Sequence, residues 1–401
     1  MAAATAKKQR PSLNPRMLKW AREWRGHTLE DAARRVNKKP EDIAAWERVT
    51  NSQDAVDRPT VKQARSLADL YDRSFLEFFR SEPPPIKEPD LVPDFRMHRG
   101  ANKPNETHEL KIIQGWAEAQ RQNALDLYAE LGDQPPIVPS ELFVDAETDV
   151  DIAASNARQV IKFSMSEQFG LRASDQNKLP EIIRHKFETA GILTLRHTGL
   201  SAFQVRGICI FASPLPVVVF ANETSGAQCF TLAHELGHVV LKQSGISGKR
   251  TKDNPYNIER WCDQFAASFL MPKTEMTMAL GNPLRPPLDE ISDDQLEQLA
   301  TRFRVSQHAM LIRLVNLGYV NPTYYWGVKK PLFDEQEARF KSFARSKYYG
   351  SRYRNSLGRL YTGLVIEAWN SGKITNHSAA EYMGIKNFEH LFAIREHFRS
   401  S

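Results

Sequence analysis

Cysteine is scarce in this chain: Cys209, Cys229 and Cys262 are the three among 401 residues. An odd, widely spaced set does not make a disulfide framework, and it fits free thiols in a reducing compartment. Long apolar runs are missing too. No stretch approaches the roughly 18 apolar residues that a membrane-spanning helix needs, so no membrane partner is expected. The opening MAAATAKKQRPSLNP carries charge with no apolar segment behind it, which argues against a secretory signal. A short flexible arm over residues 1–13 and a cytoplasmic location are the expectations.

Neither charge sign is short, with 54 Lys and Arg against 48 Asp and Glu. Their placement is uneven: residues 1–80 and 321–401 each carry a net +6, and the stretch between carries −6. Basic ends around an acidic centre suggest separate jobs, and a basic end can meet nucleic acid or remain a solvated surface.

Proline marks the divisions. The segment SEPPPIKEPDLVPDF reads as an extended linker over 81–95. Before it, residues 14–80 read as short helices. Asn14 caps a helix begun by Pro15, Thr28 and Asp31 form a capping box for TLEDAARRV, and Pro40 opens PEDIAAWER. After it, a helical connector fills 96–150, with one long helix over 106–132. Residues 151–320 mix types: a helix IAASNARQVIKFSMSEQFG, another LPEIIRHKFETAG, and three strand-like runs in ILTLRH, RGICIFA and PVVVFAN. A helical, basic region follows over 321–401. The expected class is mainly α with a small β-sheet, an α+β fold.

Within the mixed region, TLAHELGHVV carries the most specific signal. Residues four apart share a helix face, so His234 and His238 can offer ring nitrogens to one ion. Glu235 lies offset around the helix, where it reaches a water bound to the ion rather than the ion itself, the arrangement of zinc proteases. Zinc lowers that water's pKa, and a glutamate there can take its proton. Two satisfied core histidines are the bland alternative. The apolar surroundings weigh against it, because buried imidazoles need partners. Gly237 inside the helix costs about 1 kcal/mol relative to Ala, which points to a close backbone approach. A catalytic zinc takes a third protein ligand. NIERWCDQFAASFLMP supplies candidates: Glu259 first, with Cys262 and Asp263 as alternatives, Asp263 being also placed to hold a histidine's other nitrogen.

These two segments together resemble the ImmA/IrrE-type metallopeptidase family, which pairs the first helix with one of form E-x-x-A-N-x-F-A-x-x-L-L-x-P. Cys262 stands where that pattern has Ala, and Asp263 where it has Asn. Residues 14–95 resemble the XRE-type helix-turn-helix unit often fused to the family. The resemblance implies a zincin-like domain over 151–320 and a cytoplasmic zinc endopeptidase that cleaves a helix-turn-helix repressor, relieving repression in a mobile-element, phage or stress response. It implies His234, His238 and Glu259 as ligands, Glu235 as general base and Asp263 behind a ligand. Zinc is the expected cofactor, with manganese as the other occupant. For an oxyanion-stabilising group, Tyr256 and His197 are the candidates.

In the N-terminal unit, Arg34, Arg35, Lys38 and Lys39 could grip double-stranded DNA. However, the helix that would enter a groove begins with Pro40, Glu41 and Asp42, and two carboxylates there face phosphates unfavourably. A surface that docks a repressor is the competing expectation. The alternative to a peptidase is a DNA-binding or antitoxin-like regulator whose metallopeptidase fold is a scaffold or sensor.

Overall fold

The computed structural model describes residues 10–25, 27–48, 58–71, 73–82, 104–203, 205–248, 257–280, 287–339, 349–385 and 388–399. Most of the Pro-rich segment over 81–95 lies outside them. The chain divides into two compact units, one of 1–91 with 102–112 and one of 92–101 with 113–401.

The first unit is built from α1 (Pro15–Trp24), α2 (Leu29–Val36), α3 (Pro40–Trp46) and α4 (Val61–Tyr71), closed by a 3-10 turn over Phe75–Phe79. Its caps are those the sequence announces. Asn14 Oδ1 accepts from Arg16 N at 3.0 Å, and Thr28 and Asp31 exchange the two bonds of a capping box. Asn37 takes the left-handed conformation, φ 52°, that ends α2 and lets α3 start three residues later. Leu18, Ala21, Ala33, Ile43, Leu67, Tyr71 and Phe78 form the core. Arg22 and Glu47 pair inside it through two 2.8 Å bonds.

The second unit contains most of α5 (Pro104–Leu131), then α6 (Val150–Val160), α7 (Met165–Phe169) and α8 (Leu179–Thr189). Two local expectations change here. The sequence's apolar residues Ile113, Trp116, Ala119, Leu125 and Leu127 only roughly share a face of α5; Ala119 is exposed, and the buried stripe runs through Ile113, Ala117, Gln120, Ala124 and Leu127, with Gln114 buried beside it. The single helix expected over 152–170 breaks in two. Lys162 turns left-handed at φ 55°, and Ser164 opens α7 with its own capping box to Glu167.

Four strands follow the order β1-β3-β2-β4, with β1 (Leu193–Arg196) parallel to β3 (Val217–Phe220) and both β2 (Val205–Ile210) contacts antiparallel. The fourth strand, β4 (Gly245–Gly248), is one that β propensity does not announce. Helix α9 (Ser225–Val240) lies against β2 and β3, and α10 (Asn257–Leu270) packs across α9. Next come α11 (Lys273–Leu280), α12 (Asp293–Phe303), α13 (Gln307–Asn316), α14 (Pro322–Tyr324), a π-turn over Tyr325–Lys329, α15 (Lys330–Arg339), α16 (Tyr349–Asn370), α17 (Asn376–Tyr382) and α18 (Phe388–Arg399). A largely helical chain around a small mixed sheet is the α+β architecture expected.

Helix α16 covers β1 through a break at Gly358, φ 84°. A buried ion pair on α8 fills that break. Arg184, 1% exposed, donates to the carbonyls of Asn355 at 2.7 Å and Ser356 at 3.3 Å, and to Thr194 Oγ1 at 3.0 Å. Glu188 accepts from Thr194 Oγ1 at 2.8 Å and from the amides of Arg359 and Leu360 at 3.1 and 3.2 Å. The guanidinium thus satisfies carbonyls left open before the break and the carboxylate satisfies the amides opened after it. A Cβ on Gly358 would stand 2.1 Å from Glu188 Oε1 and 2.8 Å from the Thr194 carbonyl. Gly358→Ala is therefore expected to lower unfolding stability by about 3 kcal/mol through strain and loss of this network. A two-state denaturant titration measures it, and an unchanged midpoint would refute the role given to the break.

Candidate metal centre

Helix α9 starts at its cap Thr224, whose Oγ1 accepts from Ala227 N at 3.4 Å. From Thr231 onward every residue of the helix is buried, with Leu232, Ala233, Leu236, Val239 and Val240 in the main core. His234 and His238, 6% and 0% exposed, lie one turn apart with ring centroids separated by 5.2 Å.

Helix α10 approaches α9 closely at Gly237. A Cβ there would stand 3.2 Å from Cys262 Sγ and 3.3 Å from Cys262 Cα, tighter than side chains normally tolerate. This is the close backbone approach that a glycine inside a helix suggests. It brings Glu259 to both imidazoles: Oε1 lies 2.9 Å from His238 Nε2 and Oε2 lies 3.3 Å from His234 Nε2. One turn along α10, Asp263 Oδ1 is 3.0 Å from His234 Nδ1. That bond orients the ring, with Nδ1 toward Asp263 and Nε2 toward Glu259.

The two carboxylates favour positive charge at the imidazoles. Burial alone disfavours a charged His234, but Asp263 and Glu259 outweigh it and hold its pKa well above the ordinary imidazole range. At His238 burial wins, and the pKa falls. Burial also disfavours the Glu259 carboxylate, yet the two histidines hold it down to about 2. His234 Nε2 and Glu259 Oε1 nevertheless lack a hydrogen-bond partner of acceptable geometry among the described residues. Two nitrogens and a carboxylate, buried together with lone pairs left over, fit a divalent ion whose preferred donors are imidazole and carboxylate.

Glu235 occupies a separate niche. It is fully buried, and both its oxygens lack a hydrogen-bond partner among the described residues. Desolvation pushes its pKa up to about 8; His234 and Ser247 act against the shift, and Glu259 adds to it. Room for the side chain comes from Gly207 on β2, where a Cβ would stand 2.1 Å from Glu235 Oε1. The β2–β4 pairing slips between Val205 and Gly207, so the irregularity falls beside this niche. Ser247 of β4 lies 3.5 Å from His238 Nε2. Sequence reasoning missed both Gly207 and Ser247. Neither has a motif spacing to α9, and only strand pairing brings them there.

Cys262 makes a triad of its own with the histidines, one that does not include Glu259: its Sγ and one ring nitrogen each of His234 and His238 lie within 4.8 Å of one another. All three cysteines are buried and free. Of the two groups considered for an oxyanion, His197 lies against Trp116 in a tilted pair, centroids 5.0 Å apart, with Nδ1 accepting from Gly199 N at 3.2 Å. Tyr256 lies outside the described residues. In the first unit, Arg34, Arg35, Lys38 and Lys39 are all exposed. Arg34 lies 3.8 Å from Asp31, and Lys38 lies 3.9 Å from Asp42.

Residues 187–315 match the profile of the IrrE N-terminal-like domain, Peptidase_M78. The match supports a metallopeptidase of the IrrE/ImmA kind. It covers α9 and α10 with the whole sheet and leaves the first unit and the C-terminal helices unmatched. No curated protein matches the chain. Among the described residues, no helix is long and apolar enough to cross a membrane.

Two terms compete at Gly237. Alanine is the better helix former by about 1 kcal/mol, yet its methyl presses on the Cys262 backbone. Gly237→Ala is therefore expected to leave thermal stability within about 1 kcal/mol of the parent. Its metal affinity should fall about tenfold, since the two helices part by a few tenths of an ångström. Metal titration beside thermal unfolding tests this; unaltered affinity would show that the close approach does not set the site.

Proposed function

We propose that the protein is a zinc-dependent endopeptidase that cuts a regulatory protein, most specifically a helix-turn-helix repressor, and so relieves repression in a mobile-element, phage or stress response. One observation carries the reading: both histidine Nε2 atoms converge on Glu259, while Glu235 on the same helix is held, unbonded, in the Gly207 niche.

In this reading His234, His238 and Glu259 hold the ion, and Asp263 fixes the His234 tautomer. Zinc, when bound, supplies a Lewis acid that polarises the scissile carbonyl and acidifies water. Glu235 takes a proton from the attacking water and returns it to the departing amine nitrogen. Its dry niche makes the carboxylate more basic than an exposed one, and a neighbouring cation favours its ionised form. Apart from Ser247, which acts against its pKa shift, no structural partner competes with water for this carboxylate among the described residues.

The first unit serves, in the same reading, as an XRE-type helix-turn-helix module over 14–80. Its exposed Arg34, Arg35, Lys38 and Lys39 face a partner, and Glu41 and Asp42 at the start of α3 favour a protein surface over a phosphate backbone. Three buried free thiols agree with a cytoplasmic location.

Glu235→Gln keeps the shape that fills the Gly207 niche and removes the base. Cleavage is expected to drop by about 10²–10⁴-fold with the metal retained. The test maps new protein N-termini in host cells producing either form. Wild-type-specific termini inside helix-turn-helix proteins are the expected result, and identical termini for both forms would refute the peptidase reading.

A further inference from the structure

Three side chains complete the set proposed above, yet a fourth donor stands beside them. Cys262 is fully buried on α10, three residues after Glu259, and is pressed against α9 at Gly237. Its sulfur and a ring nitrogen from each of His234 and His238 form the one cluster of three metal-ligating donor atoms within 4.8 Å among the described residues. His234 adds a second sign. Only 6% exposed and tied through Nδ1 to Asp263, it points Nε2 toward Glu259 Oε2 at 3.3 Å with no hydrogen bond of acceptable geometry among the described residues. Cys209 on β2 and Cys229 near the start of α9 are equally buried but are not in the cluster.

We propose that Cys262 Sγ is a further protein ligand of the ion held by His234, His238 and Glu259, and that this sulfur makes the centre selective for zinc over manganese. The inference rests on the metal centre of the proposed function and deepens it. A set of two imidazoles and one carboxylate accepts either ion, whereas a thiolate is a soft ligand that suits zinc and leaves manganese, which favours oxygen, at a disadvantage. A second consequence follows from coordination number. Four protein donors fill a tetrahedral zinc, the arrangement of closed sites, while a catalytic site keeps one position for water. The resting protein is then a restrained peptidase, in which Cys262 must give way, or the shell expand, before substrate is cut.

The full chain loaded with cobalt(II) reports the ligand directly, because a cobalt–thiolate bond adds a sulfur-to-metal charge-transfer band in the near ultraviolet. Wild-type protein is expected to show that band. Cys262→Ala is expected to bind one equivalent of cobalt without it, and Cys209→Ala and Cys229→Ala to keep it. In zinc–manganese competition, Cys262→Ala should lose about tenfold or more of the zinc preference. Cys262→Ser provides the same comparison should the alanine variant fold poorly. Bound cobalt with no charge-transfer band in the wild type, or a band that survives in Cys262→Ala, would overturn the ligand. Failure of every form to bind cobalt would overturn the metal centre itself.

Discussion

Everything at the centre depends on how closely α10 can lie against α9. Gly237 sets that distance: with no Cβ it lets the backbone at Cys262 press onto the helix that carries both histidines. Glu259 and Asp263, one turn apart on α10, then meet opposite nitrogens of the imidazole pair. A wider spacing would withdraw both carboxylates together. The glycine costs helix stability, and a larger residue there would push the helices apart by a few tenths of an ångström.

A second buried charge pair in the same unit shows how the centre differs from a satisfied one. Arg184 and Glu188 are as deeply buried, but each spends its hydrogen-bonding groups on the broken helix α16. They make a closed account in which charge, donors and acceptors balance. At the centre, His234 Nε2, Glu259 Oε1 and both Glu235 oxygens have no hydrogen bond of acceptable geometry among the described residues. Buried polar atoms without partners are costly. Their concentration on facing turns of two helices distinguishes a site from a piece of core.

What could be read from the sequence was what is local along the chain. The i, i+4 histidines, the caps at Asn14 and Thr28 and three strands rich in β-branched residues all declare themselves within a few positions. Glu259 could be named because it too lies on a regular helix, and the apolar pattern around it shows which face turns inward. Gly207 and Ser247 could not. Their part comes from a strand pairing that carries no sequence spacing, and β4 itself reads GISG, with two glycines and a serine where β propensity looks for branched side chains. The break at Gly358 was hidden likewise, because its partners lie on α8 and β1, far back in the chain. A glycine within a helical pattern announces a special position without saying what occupies it.

The central claim is that His234, His238 and Glu259 together hold one divalent ion. Metal analysis of the purified full chain, beside His238→Ala and Glu259→Ala, tests it most directly. The account predicts about one equivalent of zinc per wild-type chain and its loss from both variants while each remains folded. A wild-type chain that binds no metal after reloading, or variants that keep the full equivalent, would contradict it.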